Sequence, residues 1–248
     1  MERKDVALVT GGTGAIGAAI CRQFSADGYR IVANCHESDL ERSKGVIEEL
    51  RADGVDVELA PFDVADAAAC ESAINDIEAN HGDIAVVVNA AGITRDALLA
   101  KLSPEQWQAV LRTNLDGVFN VSRPVVPRMT ERKFGRIINI SSVNGQRGQI
   151  GQTNYSAAKA GMTGFTKALA REVARDGITV NSVSPGYVES PMIQAVPEKV
   201  REKIVKQIPV GRFATPEEIA SAVSFLARRD SAYITGTDLS VNGGYHIG

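Results

Sequence analysis

Short runs of Val, Ile, Leu and Ala alternate along the chain with longer stretches in which apolar residues return every three or four positions. The runs at residues 5–10, 30–34, 56–62, 84–89, 135–141, 179–184 and 238–241 predict seven strands, and the stretches between them predict amphipathic helices. Strands that are apolar almost throughout, rather than at every second position, are those covered on both faces. The pattern therefore predicts an α/β fold, doubly wound, with a seven-stranded mostly parallel sheet and helices on both faces. Local signals mark several helix starts. Asp66 precedes an alanine-rich stretch with Glu71 in an early turn, and Ser103-Pro104-Glu105 and Thr215-Pro216-Glu217-Glu218 each set a capping hydroxyl before a proline. Residues 187–207 fit less well, because Pro191 and Pro197 interrupt a helical pattern. Ligands of open α/β sheets bind beyond the carboxyl ends of the strands, so this segment is expected to be an insertion that closes over a site.

Composition narrows the class. The 248 residues carry no Pro/Gly/Ser-rich linker and no visible repeat, so one domain over 1–248 is expected, and 44% hydrophobic residues are enough for a large core. A formal charge of -3 and the lack of a Lys/Arg run argue against a nucleic-acid partner. No segment approaches the length of a membrane span, and Met1 to Asp5 lead into the first strand without the apolar stretch of a signal peptide, so a cytoplasmic protein is expected. Cys21, Cys35 and Cys70 are odd in number and widely spaced, and read as reduced packing residues. His36, His81 and His246 stand in polar stretches and read as solvated surface positions; no metal site is expected.

Candidate chemistry lies in a few motifs. Thr10-Gly11-Gly12-Thr13-Gly14-Ala15-Ile16-Gly17 joins the first strand to the first helix, where glycines permit a tight turn and close approach of a pyrophosphate to the helix N-terminus. In Tyr155-Ser156-Ala157-Ala158-Lys159 the four-residue spacing sets a phenol and an ammonium on one helix face. A free tyrosine titrates at about 10, and an adjacent cation is expected to bring it down toward useful acidity. Asn89-Ala90-Ala91-Gly92, Asn114, Ser142 and Pro185-Gly186-Tyr187-Val188-Glu189-Ser190-Pro191-Met192 complete an ordered series. Taken together, these motifs resemble the short-chain dehydrogenase/reductase family along essentially the whole chain. Four positions depart from its pattern: Ala15 replaces a glycine, Ala90 an asparagine, Ser190 a threonine with the hydroxyl kept, and Pro191 a common aspartate.

The resemblance implies a Rossmann fold binding a nicotinamide dinucleotide, with Gly11, Thr13, Gly14, Ala15, Ile16 and Gly17 at the phosphates. It places Asp63 and Val64 at the adenine, Asn89, Ala90 and Gly92 along the fourth strand, and Pro185, Gly186, Val188 and Ser190 at the nicotinamide. It implies a catalytic tetrad. Tyr155 is the proton donor, Ser142 holds the carbonyl oxygen, Lys159 tunes the phenol and binds the nicotinamide ribose, and Asn114 holds a water that relays protons to Lys159. No acid ends the second strand, and Arg42 follows in the next helix, so NADPH is expected ahead of NADH. Simpler readings stay open beside these: Arg42 paired with Glu41 or Asp39, Asp63 in a turn, Ser142 as a strand-end cap, and Asn114 satisfying buried backbone.

Two substrate groups compete within the resemblance, acetoacetyl-coenzyme A and 3-oxoacyl groups on acyl carrier protein. Residues 141–155, Ile93-Thr94-Arg95-Asp96 and the C-terminal Asn242-Gly243-Gly244-Tyr245-His246-Ile247-Gly248 look more like the coenzyme A group. Asp96, Lys101, Gln149, Gln152 and Tyr187 are then the candidate substrate residues, with ordinary loop hydrogen bonding as the alternative for each. Carrier docking needs a basic surface, for which Arg128, Arg132, Lys133 and Arg136 are candidates, whereas Asp176 interrupts the patch beside Arg175. Oxidation of another alcohol or sugar, and a cofactor-binding regulator without turnover, are the remaining readings. The family resemblance also implies a homotetramer, with Phe165, Ala168 and Ile247 as candidate contacts.

Overall fold

The computed structural model describes residues 5–248, apart from the Met192 side chain; the opening residues Met1 to Lys4 lie outside the described part. Among the described residues, strands β1 (Val6–Thr10), β2 (Arg30–Cys35), β3 (Val57–Pro61), β4 (Ile84–Asn89), β5 (Gly135–Ile140), β6 (Ile178–Pro185) and β7 (Asp238–Val241) form one sheet in the order β3-β2-β1-β4-β5-β6-β7. Every neighbouring pair is parallel, so the expected "mostly parallel" sheet is parallel throughout. The connecting helices are α1 (Ala15–Ala26), α2 (Leu40–Ala52), α3 (Ala67–Asn80), α4 (Pro104–Leu111), α5 (Gly117–Arg132), α6 (Val143–Arg147), α7 (Thr153–Val173), α8 (Pro191–Gln194), α9 (Glu198–Val205) and α10 (Pro216–Ala227).

Alternation along each strand divides the core between two faces. Ala7, Val9, Ile31 and Ala33 pack with Phe24 of α1, Leu50 of α2 and Ile219, Val223 and Leu226 of α10. Val6, Leu8, Val32 and Val87 pack on the other side with Ile74 of α3, Val121, Val125 and Met129 of α5, and Val173 of α7. Burying one such aliphatic side chain is worth about 1.5–3 kcal/mol, and both faces need it, which is why β1 and β4 are apolar at nearly every position. Cys21, Cys35 and Cys70 are buried free thiols. His36 is exposed as expected, but His81 and His246 are half-buried, His81 as the C-cap of α3.

The capping signals formed as read. Asp66 accepts from the amides of Ala68 and Ala69, and Ser103 with Gln106 and Thr215 with Glu218 make reciprocal capping boxes. Residues 187–207 hold the short helices α8 and α9 after β6. Strand order reverses between β1 and β4, which places a crevice at their carboxyl ends. The loops that enter it are the glycine-rich turn after β1 and Ala90 to Gly92 after β4.

Candidate active site

Gly11 turns the chain at φ +62, and a Cβ on Gly17 would lie 2.2 Å from the Gly11 carbonyl oxygen, so the turn closes only with glycine at both positions. Gly14 caps α1 without a side-chain hydrogen bond, leaving first-turn amides available to an anion. A Cβ on Gly14 would meet only the Gly11 oxygen, at 3.3 Å, so the approach to those amides is open. This donor set and open approach fit a dinucleotide pyrophosphate. Thr10 was overlooked as a site residue in the sequence: its Oγ accepts from the amides of both Ala90 and Ala91, at 3.0 and 3.1 Å, and pins the two crevice loops together.

Two connected cavities run from this turn. The outer one, about 530 Å³, is lined by Thr13, Arg42, Asp63 and Val64 among others, and the inner one, about 360 Å³, by Ala15, Ile16, Gly17, Ser142, Tyr155, Lys159, Pro185, Gly186, Val188 and Ser190. Gly11, Gly14, Ala90 and Gly92 line both. Arg42 is largely exposed, 4.0 Å from Asp39, and Asp63 both faces the cavity and accepts from the Ala65 amide at 2.8 Å, so the turn reading of Asp63 holds alongside its position in the cleft. Asn89 is not among the residues lining either cavity. Its Nδ2 donates to Asn139 at 2.8 Å and to Ser122 at 3.3 Å, which ties β4 to β5 and α5 beneath the site.

Around the inner cavity, α7 presents Tyr155 and Lys159 on one face, as their spacing requires. Lys159 is 3% exposed, donates to the Ile140 carbonyl at 2.7 Å, and is lowered by burial to about 8. The Tyr155 phenol moves against expectation. Burial pushes it up from its ordinary value, a hydrogen bond with Ser142 opposes the rise, and the Asp96 carboxylate adds to it. Desolvation is the largest cause of the shift, and the Lys159 ammonium is turned to the Ile140 carbonyl. Ser142 also caps α6, its Oγ accepting from the Asn144 amide at 3.1 Å. Ser141 donates to the Lys159 carbonyl at 3.0 Å, and Gly145 lets α6 cross α7 where a Cβ would come within 2.9 Å of Lys159.

Asn114 lies in a π-helical turn, Arg112–Asp116, between α4 and α5. It is fully buried, and its carboxamide binds the amide and carbonyl of Ile93 at 2.8 and 2.9 Å. A Cβ on Gly92 would lie 3.1 Å from Asn114 Oδ1 and 3.7 Å from Lys159 Nζ, so these three residues meet behind the cavity.

The proposed substrate residues divide. Asp96 and Gln152 are joined at 2.8 Å, and the Gln149 carbonyl accepts from the Gln152 amide at 3.1 Å. Lys101 ends an exposed 3₁₀ turn. Tyr187 packs instead against Phe213 and Tyr245 and lines a separate cavity of about 120 Å³. Three exposed apolar residues escaped the sequence reading: Leu98, Leu99 and Ile150 follow or precede the residues of a backbone bond, 2.9 Å from the Ala97 amide to the Gly151 carbonyl.

The family model described as enoyl-(acyl carrier protein) reductase matches residues 12–246. The chain is 53% identical to an acetoacetyl-CoA reductase of Rhizobium meliloti and 48% to one of Cupriavidus necator, over 98% of each chain. It is 42% identical to the 3-oxoacyl-(acyl-carrier-protein) reductase FabG of Staphylococcus aureus over the full length of both. The chain belongs to the short-chain dehydrogenase/reductase family. As a short-chain reductase it is an oxidoreductase acting on a CH–OH/C=O pair and using a nicotinamide cofactor. Among the described residues, no helix is long and apolar enough to cross a membrane, and no cluster of His, Cys, Asp or Glu is arranged to hold a metal ion.

The carrier-docking surface expected of such a reductase does not form from the basic stretch. Arg128 and Arg132 pair with Glu78 at 2.9 and 3.1 Å, and Lys133 pairs with Asp176 at 2.5 Å. Arg136 is 2% exposed and bonded to backbone carbonyls. All four lie at the start of β5 or before it, at the end of the sheet away from the crevice.

Proposed function

We propose that the protein is an NADPH-dependent reductase of 3-oxoacyl thioesters, converting acetoacetyl-CoA to 3-hydroxybutanoyl-CoA. One observation carries this reading: Ser142, Tyr155 and Lys159 line the same cavity that opens from the glycine-rich turn. The bound nicotinamide supplies a hydride to the carbonyl carbon. Tyr155 gives its proton to the carbonyl oxygen, and the buried setting that raises its pKa keeps that proton in place at neutral pH. Ser142 holds the oxygen by hydrogen bond. Lys159 restores the phenolic proton from its own ammonium and holds the cofactor ribose, with the Asn114 main chain as the water-holding group because its side chain is taken by Ile93. Arg42 at the outer cavity supports NADPH over NADH through pairing with a 2′-phosphate.

Coenzyme A is favoured over a carrier protein by the acetoacetyl-CoA reductases among the similar proteins and by the neutralised basic stretch. Exposed Leu98, Leu99 and Ile150 suit a thioester arm, with Asp96, Gln149 and Gln152 as polar contacts and Lys101 toward the phosphates. The reading takes residues 1–248 as one catalytic domain in the cytoplasm, a setting that buried free thiols support. A homotetramer belongs to the same reading, supported by half-exposed Phe119 beside Phe165 on α5 and α7. The test is kcat/KM for acetoacetyl-CoA and for an acetoacetyl carrier protein, each with NADPH and NADH. The highest value is expected for acetoacetyl-CoA with NADPH; a strong preference for the carrier substrate overturns the assignment.

A further inference from the structure

Beside Tyr155, three side chains form a hydrogen-bonded line whose direction is fixed by chemistry. The Asp96 carboxylate only accepts, so Gln152 Nε2 donates to it, at 2.8 Å. Gln152 Oε1 then accepts from Asn144 Nδ2 at 2.9 Å, and the line ends on Asn144 Oδ1, which is buried with no partner. The Asn144 main-chain amide in turn donates to Ser142 Oγ at 3.1 Å. That bond occupies a lone pair of Ser142 and leaves its hydroxyl proton to be given elsewhere. The line joins three separate segments: the loop after β4, the first turn of α6, and Gln152 at the N-cap of α7. Helix α6 has five residues, too few to hold its own first turn firmly.

We propose that Asn144 is a positioning residue for the reduction, held by Gln152 and Asp96 so that the first turn of α6 keeps the Ser142 hydroxyl proton free to be donated, to the Tyr155 phenol before substrate binds and to the carbonyl oxygen once it is bound. The contact between Ser142 and the Tyr155 phenol agrees with this. Ser142 acts on the Tyr155 phenol in the direction of a donor, opposing the rise that burial causes. The charged groups facing that phenol are Asp96, at one end of the line, and Lys159, 5.6 Å from the ring centroid. Asn144 touches neither carbonyl nor cofactor in this role; it acts through Ser142.

The inference rests on the proposed reductase reading, and its test keeps the two separable. Asn144→Asp sets a second acceptor against Gln152, whose amide cannot then satisfy both neighbours through the present arrangement. A loss of roughly 10- to 100-fold in kcat for acetoacetyl-CoA reduction is expected, with KM moving less, since misplacing one group costs about that much. The double variant Asp96→Asn/Asn144→Asp reverses every donor and acceptor in the line, and because Asp96 is itself a proposed substrate contact it is read against Asp96→Asn alone: Asn144→Asp is expected to cost much less kcat in the Asp96→Asn background than in the wild type. Wild-type kcat in Asn144→Asp, or an equal cost of that substitution in the two backgrounds, overturns the inference. Asn144→Ala adds no charge and supplies a reading that needs no substrate. The Tyr155 titration, followed by tyrosinate absorbance as the difference from the matching Tyr155→Phe protein, is expected at higher pH in Asn144→Ala than in wild type. An unchanged midpoint overturns the inference even if acetoacetyl-CoA proves not to be the substrate.

Discussion

The Lys159 ammonium stands over the Tyr155 ring, 5.6 Å from its centroid, while donating a 2.7 Å hydrogen bond to the Ile140 carbonyl. The pair is adjacent, as a four-residue helical spacing requires, yet the cation is buried and the phenol is raised rather than lowered. Burying the Lys159 ammonium therefore carries a cost, which the proposed role in the reduction would account for.

That cost is measurable. Lys159 titrates at about 8 in the folded protein against 10.5 for the free side chain, so between those values the unfolded chain binds more protons. The penalty on folding is complete below pH 8 and disappears as pH rises past about 10.5. Lys159→Met is expected to raise the stability at pH 7, and with it the Tm, by at most about 3 kcal/mol from the shift of its pKa, less the cost of the Ile140 carbonyl left without a donor. The gain should vanish above about pH 10.5, and reductase activity should be lost. Thermal unfolding across pH checks both signs.

Two glycines in the first turn should respond differently. Gly17→Ala forces a methyl against the Gly11 carbonyl and is expected to lower Tm sharply, whereas Gly14→Ala meets only one atom at 3.3 Å and should fold while weakening NADPH binding. Equal Tm losses in the two variants would contradict this account of the turn.

Much of this was legible because it is local. The strands, the caps at Asp66, Ser103 and Thr215, and the face shared by Tyr155 and Lys159 depend on residues within a few positions of one another. What escaped depends on partners far along the chain. The charge of Arg128 and Arg132 is answered by Glu78, about fifty positions away; Asn89 is held by Asn139; and the Tyr155 shift is set by burial, which no spacing encodes. The π turn at Asn114 likewise follows from its carboxamide reaching Ile93.

Cofactor choice should depend on Arg42. Arg42→Ala is expected to raise the Kd for NADPH by roughly tenfold or more, the scale of a lost hydrogen bond to a charged group, and the Kd for NADH by much less. Titration by fluorescence gives both constants; a parallel loss for the two cofactors would assign Arg42 to its pairing with Asp39 instead.

The Asp96 charge should be visible in the pH profile. It raises the Tyr155 phenol, so Asp96→Asn lowers it, and the loss of reduction that follows Tyr155 deprotonation should set in at lower pH than in the wild type. The pH dependence of kcat measures the movement; a shift to higher pH would reverse the assigned sign.

The central claim is that Tyr155 protonates the carbonyl of a 3-oxoacyl thioester. Its most direct measurement is the rate of acetoacetyl-CoA-dependent NADPH oxidation in Tyr155→Phe, alongside NADPH binding by the same variant. A fall of roughly 100- to 10,000-fold in kcat with NADPH still bound is expected for loss of a general acid, and an unchanged rate would contradict the account.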